Sequence, residues 1–305
     1  MDEAPWVLWV GGSPGAGKTT VARLLARRHG LRWYNADAHT WEHRDRAIAA
    51  GHAAAITWER MSRAERWTVP VEDMVAMSLH QERGRMITDD VRALPHSPLV
   101  IAEGTPVTPS VTGPDGRAVW LLTSAEVQHA RLVERGMTPG VGAFRLYQAL
   151  RQEIEAQVEE YGARKLVVDG RQSVADTVAE VEALFADALA EGPVATTAVA
   201  RRRLLRYANR AVVSQHQHFD ARPWAPAGAL STVYGFACEC GHEACMADVE
   251  LAIADFPRLP DEGSPPVLAL GHHVVRPASQ GCSPSAEGDV PRSSPRDRPL
   301  RSHDA

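Results

Sequence analysis

Gly12-Ser13-Pro14-Gly15-Ala16-Gly17-Lys18-Thr19 decides the fold of this 305-residue chain. The stretch has every fixed position of the phosphate-binding pattern G-x-x-x-x-G-K-[ST]. The apolar run 6–10 before it predicts a buried strand, and the amphipathic segment after it, ending at Gly30, predicts a helix. Glycines in such a unit let backbone N–H groups surround an anion, and the helix N-terminus adds its positive dipole end. The sequence therefore predicts a nucleoside triphosphate site.

Two side chains of this loop carry the expected chemistry. Lys18 would reach the β- and γ-phosphates, and the Thr19 hydroxyl would bind Mg²⁺. Lys18 and Lys165 are the only lysines in a chain that otherwise uses arginine. The lysine ammonium is a compact point charge, which suits phosphate binding at position 18. We expect ATP and Mg²⁺ as cofactors, although no motif distinguishes ATP from GTP. The residues expected to hold the nucleotide are Gly12, Ser13, Pro14, Gly15, Ala16, Gly17, Lys18, Thr19 and Thr20.

Composition is that of a soluble globular protein, with 44% hydrophobic and 23% charged residues. A net charge of −5 does not favour a surface built for nucleic acid. No apolar stretch approaches the roughly 20 residues of a membrane span, and the acidic start gives no sign of a signal peptide. Four cysteines, three of them clustered, suit a metal site in a reducing compartment. We expect a cytoplasmic protein.

Two carboxylates follow predicted strands and would face the ligand crevice of a parallel sheet. The strand 31–34 leads to Asp37, which either reaches an acceptor hydroxyl or only caps the next helix. The strand 99–102 leads to Glu103, which either holds Mg²⁺, directly or through water, or faces solvent. The weakly helical segment 51–69 between these strands is where a substrate-binding region would lie.

The later part of this region alternates strands and helices. Strands are predicted at 118–122 and 166–168, with a loop at 105–116 and a capping box at Thr123–Glu126. Arg131 and Arg135, one turn apart on the next helix, either cover the phosphates or form a solvated face. Segment 136–142 would be a glycine hinge, and Ser173 would cap a helix with an apolar stripe reaching Leu189. The order of elements predicts an α/β fold, a parallel sheet flanked by helices.

These motifs, GSPGAGKT, Asp37, LVIAEG, the arginine-bearing helix and VDGRQS, resemble the small-molecule P-loop kinases. That class includes shikimate, gluconate and adenylate kinases and the chloramphenicol phosphotransferases, and the resemblance spans about residues 6–190. It implies that Asp37 lies near the acceptor, Glu103 on the metal side, and Arg131 and Arg135 in the lid. It also implies that 169–173, including Arg171, lie beside adenine. No substrate-specific signature is present, so the acceptor stays open.

A basic segment follows at 193–219, which contains five arginines and no acidic residue. It either packs as a helix on the acidic first domain or contacts nucleic acid, and we favour packing. The expected domains are a P-loop kinase-like domain at 1–192, an arginine-rich connector at 193–233, a cysteine module at 234–275 and a disordered tail at 276–305.

The cysteine module contains Cys238, Cys240 and Cys245. Placed on a strand, the first two cysteines would point to one face and could chelate one ion. His242, His272, His273 and Cys282 are candidates for a fourth ligand. We prefer His272, because it follows a predicted strand at 267–270. The alternatives are a structural Zn²⁺ or buried reduced thiols. The module resembles a C-terminal CxCx4C module of uncharacterised bacterial proteins, which implies no function.

The favoured function is ATP-dependent phosphotransfer to a small-molecule hydroxyl, with residues 1–192 alone keeping much of the activity. One alternative is an ATP-dependent switch whose cysteine module binds a protein partner and which hydrolyses ATP slowly. Another is a nucleoside monophosphate kinase.

Overall fold

A computed structural model of the protein describes residues 6–113, 116–257 and 264–275. Five strands form one parallel sheet in the order β2-β3-β1-β4-β5. They are β1 (Val7–Gly12), β2 (Arg32–Asn35), β3 (Val100–Glu103), β4 (Ala118–Thr123) and β5 (Lys165–Val168). The predicted α/β fold is therefore confirmed, whereas the tail 276–305 and Cys282 lie outside the described residues.

Helices cover both faces of this sheet. They are α1 (Lys18–His29), α2 (Thr40–Ala49), α3 (Ala53–Arg60), α4 (Val71–Ser78), α5 (His80–Arg92), α6 (Pro109–Thr112), α7 (Ala125–Glu134), α8 (Ala143–Glu160), α9 (Val174–Leu184), α10 (Ala186–Glu191) and α11 (Ala198–Asp220). Side chains of a strand alternate between faces, so Leu8 and Val10 pack with α1 and α9, while Trp9 packs in the core that α5 and α8 cover.

The register places the carboxyl ends of three strands side by side. Glu103, the last residue of β3, pairs with Val10 of β1 and Asn35 of β2. Gly12 ends β1 with φ +123°, and a Cβ there would lie 2.0 Å from the carbonyl oxygen of Leu121. Only glycine fits this position, where the chain leaves the sheet to form the phosphate-binding loop.

Several predicted boundaries are wrong. The loop 105–116 contains the short helix α6, which begins at a proline, as helices commonly do. Ser124 rather than Thr123 caps α7, because Thr123 completes β4 and its amide donates to Ser13 Oγ at 3.3 Å. The apolar stripe up to Leu189 belongs to two helices, α9 and α10, which are separated at Phe185.

The chain after residue 192 forms α11 and a two-stranded antiparallel sheet of β6 (Val233–Ala237) and β7 (Asp248–Ala252). The prediction of a strand at 267–270 is wrong. The sequence did not lead us to expect β7, because its alternation of apolar and polar residues is short and includes acidic residues. Residues 264–275 instead run beside the cysteines, where the Val275 amide donates to the Cys240 carbonyl at 3.1 Å. Within the described ranges, no helix combines the length and the apolar character that crossing a bilayer needs.

Candidate active site

The phosphate-binding loop has the backbone shape that its glycines predict. Gly15 and Gly17 have φ values of +84° and +92°, in the left-handed region that favours glycine. Lys18 is buried, and its Nζ donates to the Ser13 carbonyl at 2.9 Å and to Thr105 Oγ1 at 3.3 Å. The lysine therefore closes over the loop where bound phosphates would lie.

Glu103 lies beside this loop and is fully buried. Its Oε2 accepts a hydrogen bond from Thr19 Oγ1 at 3.2 Å, while its Oε1 has no hydrogen-bond partner among the described residues. Burial raises the pKa of Glu103 above its usual range and lowers that of Lys18. A hard cation that takes oxygen ligands fits this pair, so Thr19 and Glu103 suit Mg²⁺.

A cavity of about 630 Å³, here called the main cavity, opens directly onto the loop. Its charged lining is strongly basic, because Asp37 is the one carboxylate against six cations, Lys18, Arg44, Arg63, Arg66, Arg83 and Arg135, among the lining residues described. Four tryptophans, Trp41, Trp58, Trp67 and Trp224, contribute aromatic surface. This cavity is large enough for a small molecule next to the phosphates.

Asp37 lines the main cavity and lies in a 3₁₀ turn that directly follows β2. Asn35 caps that turn by accepting from the Asp37 amide at 2.9 Å, and the α2 N-cap residue is His39. The capping alternative for Asp37 is therefore wrong. Its carboxylate is 65% exposed and lies 3.9 Å from Arg83 Nη2, free to meet a ligand.

Three buried arginines of the main cavity, Arg44, Arg66 and Arg83, have N–H groups without partners among the described residues. Arg66 is stacked over the Trp224 ring at 3.9 Å and donates from Nε to the Trp58 carbonyl, which leaves Nη2 unpaired. Arg44 donates from Nη2 to the Met77 carbonyl at 2.7 Å, and its Nε and Nη1 are unpaired. Burial lowers the pKa of Arg44 to about 9. None of these arginines was predicted from the sequence as a residue of the site, because no local motif marks them.

The predicted lid arginines have different surroundings. Arg131 donates to the Gly15 carbonyl at 2.7 Å and so braces the loop, whereas Arg135 lines the main cavity. Both also line a second cavity of about 250 Å³, together with Gln172 and Thr177. Arg171, expected beside adenine, has a side chain that is 90% exposed.

The second half of the chain contributes to the same site. Gln215 and Phe219 of α11, with Trp224 after it, line the main cavity. Arg222 anchors this wall through Asp45 at 2.6 Å and Glu59 at 3.5 Å. The packing interpretation of the basic segment is thus supported, and residues 1–192 alone would lack part of the cavity wall.

The four predicted metal ligands come together, here called the cysteine cluster: Cys238, Cys240, Cys245 and His272, whose ligand atoms all lie within 4.8 Å of one another. His272 Nδ1 lies 3.4 Å from Cys238 Sγ and 3.5 Å from Cys245 Sγ. The prediction that Cys238 and Cys240 lie on a strand was wrong, because β6 ends at Ala237 and the cysteines lie in the turn that follows.

Comparisons with known proteins identify no family. No protein-family model matches the chain, and no curated protein matches it. Among solved structures, it is similar to a Thermus thermophilus protein (22% identity, TM-score 0.41, covering 61% of this chain and 98% of that one). It is also similar to shikimate kinase from Acinetobacter baumannii (19% identity, TM-score 0.37, covering 61% of this chain and 96% of that one). A sugar kinase from Janibacter is similar as well (21% identity, TM-score 0.33, covering 61% of this chain and 97% of that one). Any activity has to be inferred from this chain's own side chains.

Proposed function

We propose that the protein transfers the γ-phosphoryl group of ATP to a hydroxyl of a small molecule. The observation that carries this proposal is the main cavity, whose lining includes both the phosphate-binding loop and Asp37. A protein that only binds and hydrolyses ATP needs no such cavity. A kinase needs one, because its acceptor must lie in line with the γ-phosphate.

Each residue has a role in the proposed reaction. The loop amides and Lys18 hold the phosphates, and Mg²⁺ held by Thr19 and Glu103 would neutralise part of their charge. Asp37 orients the acceptor hydroxyl and takes its proton as the oxygen bonds to the γ-phosphorus. The bond between the γ-phosphorus and the β–γ bridging oxygen breaks, and ADP leaves. Arg135 stabilises the charge on the transferred group.

The Mg²⁺ role predicts the behaviour of Glu103→Gln. This isosteric change removes the charge that would hold the metal, so we expect half-maximal activity to need about 10- to 100-fold more Mg²⁺. The measurement is turnover against Mg²⁺ concentration at saturating ATP, with Thr19→Ser, which keeps the hydroxyl, as the matched control. An unchanged Mg²⁺ dependence in Glu103→Gln would contradict the assignment.

The acceptor is inferred to be an anion with a planar or apolar part. Unpaired N–H groups of buried arginines favour a carboxylate or phosphate ligand, because such groups are costly when they stay unsatisfied. The tryptophans among the lining residues add aromatic surface, which a planar or apolar part of the acceptor would contact. Nucleoside monophosphates have both features, so this alternative belongs among the acceptors tested.

Arg66→Gln tests the charge of the acceptor. Losing a charge-assisted hydrogen bond of about 1.5–3 kcal/mol should raise the half-saturating acceptor concentration roughly tenfold or more, with ATP affinity unchanged. The measurement is acceptor-dependent ADP formation, and Arg60→Gln, at the exposed end of α3, is the control. Equal acceptor saturation in both variants would exclude an anionic contact at Arg66.

The experiment that tests the proposed function measures ADP formation with Mg²⁺, first alone and then with a pooled metabolite extract. Stimulation by the extract, followed by fractionation to one phosphorylated compound, would support the kinase. Tight ATP binding with slow, unstimulated hydrolysis would favour the switch alternative, in which the cysteine module contacts a protein partner.

A further inference from the structure

The cysteine cluster is linked to α11 by a buried charge between two of its cysteines. Glu239 is 2% exposed, and both its carboxylate oxygens accept hydrogen bonds from the Arg206 guanidinium. Asn209 Nδ2 also donates to Glu239, at 2.8 Å, and the Val267 amide donates at 3.0 Å. A buried carboxylate with this many donors has one fixed position, so the turn carrying the cysteines is fixed relative to α11.

The donor set of the cluster is that of a zinc site. Three thiols and one imidazole, with ligand atoms within 4.8 Å of one another, match the tetrahedral Cys₃His sites that hold structural Zn²⁺. Backbone amides are already directed at two of the sulfurs. The Ala269 amide lies 3.3 Å from Cys238 Sγ and the His242 amide 3.5 Å from Cys240 Sγ. Such donors stabilise thiolates, the form that binds metal.

Nearby histidines do not compete for this site. His242 Nδ1 accepts from the Ala244 amide at 3.1 Å, and His273 is exposed. The two segments that supply ligands, 238–245 and 264–275, have no helix or sheet joining them among the described residues. Backbone hydrogen bonds join them at two points, from the Glu239 amide to the Val267 carbonyl at 2.7 Å and from the Val275 amide to the Cys240 carbonyl at 3.1 Å. A metal ion would add a connection through four side chains.

We propose that Cys238, Cys240, Cys245 and His272 bind one structural Zn²⁺, and that this ion holds α11 in place as a wall of the main cavity. The connection runs from the metal-bound turn through Glu239 to Arg206 and Asn209 on α11. Farther along the same helix, Gln215 and Phe219 line the main cavity. Four protein ligands fill a tetrahedral site, so the ion has no open position for catalysis. The metal site itself does not rest on the proposed kinase activity.

Metal content of the purified full chain tests the site. We expect one Zn²⁺ per chain, lost in His272→Asn but kept in its neighbour His273→Asn and in Cys282→Ser. Replacement by Co²⁺ should give the absorption bands of a tetrahedral thiolate site in the wild-type protein, which does not depend on any variant folding. A wild-type chain that neither retains nor takes up a stoichiometric metal ion, or one with a disulfide within the cluster, overturns the proposal. Loss of metal in Cys282→Ser with retention in His272→Asn also overturns this ligand set.

Amide hydrogen exchange of the full chain, with and without a zinc chelator, tests the connection to α11. Removal of the metal should speed exchange about tenfold or more in residues 198–220 and 233–252. Exchange in β1 and β4 should stay unchanged, and ATP should still bind once Mg²⁺ is restored. Unchanged exchange in α11, or uniform loss of protection over the whole chain, overturns the anchoring role. Since neither readout uses an acceptor, failure of this proposal is distinguishable from failure of the kinase assignment.

Discussion

Lys18→Ala is expected to abolish extract-stimulated phosphoryl transfer while the protein stays folded. The buried ammonium lies 3.3 Å from Thr105 Oγ1 and 2.9 Å from the Ser13 carbonyl oxygen, so it is held at the position where we propose that charge develops on the phosphates. Loss of one such preorganised donor costs at least about 10²–10³-fold in turnover. The fold should tolerate the change, because Glu103, whose pKa burial raises, is able to take a proton once its cationic neighbour is gone.

The measurement is ADP formation with the stimulating extract fraction, accompanied by a melting curve of each variant. Lys165→Ala is a matched control because Lys165 is the only other lysine in the chain. Its side chain is 45% exposed on β5 and pairs with Glu159 at 3.5 Å, away from the loop. We expect the control to keep full turnover. A Lys18→Ala protein with the same turnover would contradict the kinase assignment.

The fold could be predicted because the determining signals are local. Gly12 ends the first strand at φ +123°, and Gly15 and Gly17 form the loop, all within one short stretch of sequence. Glu103 follows the same logic, since the carboxyl ends of parallel strands share one edge of the sheet. Ser173 caps α9, as the sequence predicts, and Asp176 completes a capping box that was not predicted. Local rules thus place the half of the site that we propose binds the nucleotide.

The acceptor half could not be predicted in this way, because its walls come from segments far apart in the chain. Arg66 stacks on Trp224, and Trp224 Nε1 donates to Glu59 at 3.0 Å. No periodicity connects these positions, and the segment 51–69 had only a weak helical pattern. An arginine between two tryptophans becomes visible only when the segment after α11 lies against α2 and α3, where Trp224 contacts Trp41 and Glu59.

The cysteine cluster shows a third situation, in which the residues were predicted for a wrong reason. Cys238 and Cys240 converge through a turn and not through the alternation of a strand. Gly241 makes that turn possible with φ +82°, and a Cβ there would lie 2.5 Å from the Ala198 carbonyl oxygen. Close approach to α11 therefore constrains the turn, and this contact is a long-range one that sequence spacing does not contain.

Asp37→Asn is expected to lower turnover with the acceptor by about 10²–10⁴-fold, the usual contribution of a positioned proton acceptor. Asparagine keeps the size of the side chain but accepts no proton. ATP binding should stay unchanged, since the phosphate contacts come from the loop and Lys18. The measurement is acceptor-dependent ADP formation with ATP affinity determined in parallel. Asp89→Asn is the control, because that carboxylate is 68% exposed on α5 and pairs only weakly with Arg92, at 3.9 Å.

The two roles proposed for Asp37 separate in this experiment. If the carboxylate only orients the acceptor, Asp37→Asn should raise the half-saturating acceptor concentration and leave maximal turnover nearly intact, which would contradict the proton-transfer role. The surroundings of Asp37 favour the role of general base over a purely orienting one. The Asp37 carboxylate is 65% exposed and lies 3.9 Å from Arg83 Nη2, so a ligand hydroxyl can reach it. Asp37 is also the one carboxylate among the described lining residues of the main cavity, so no neighbouring acid is placed to replace it.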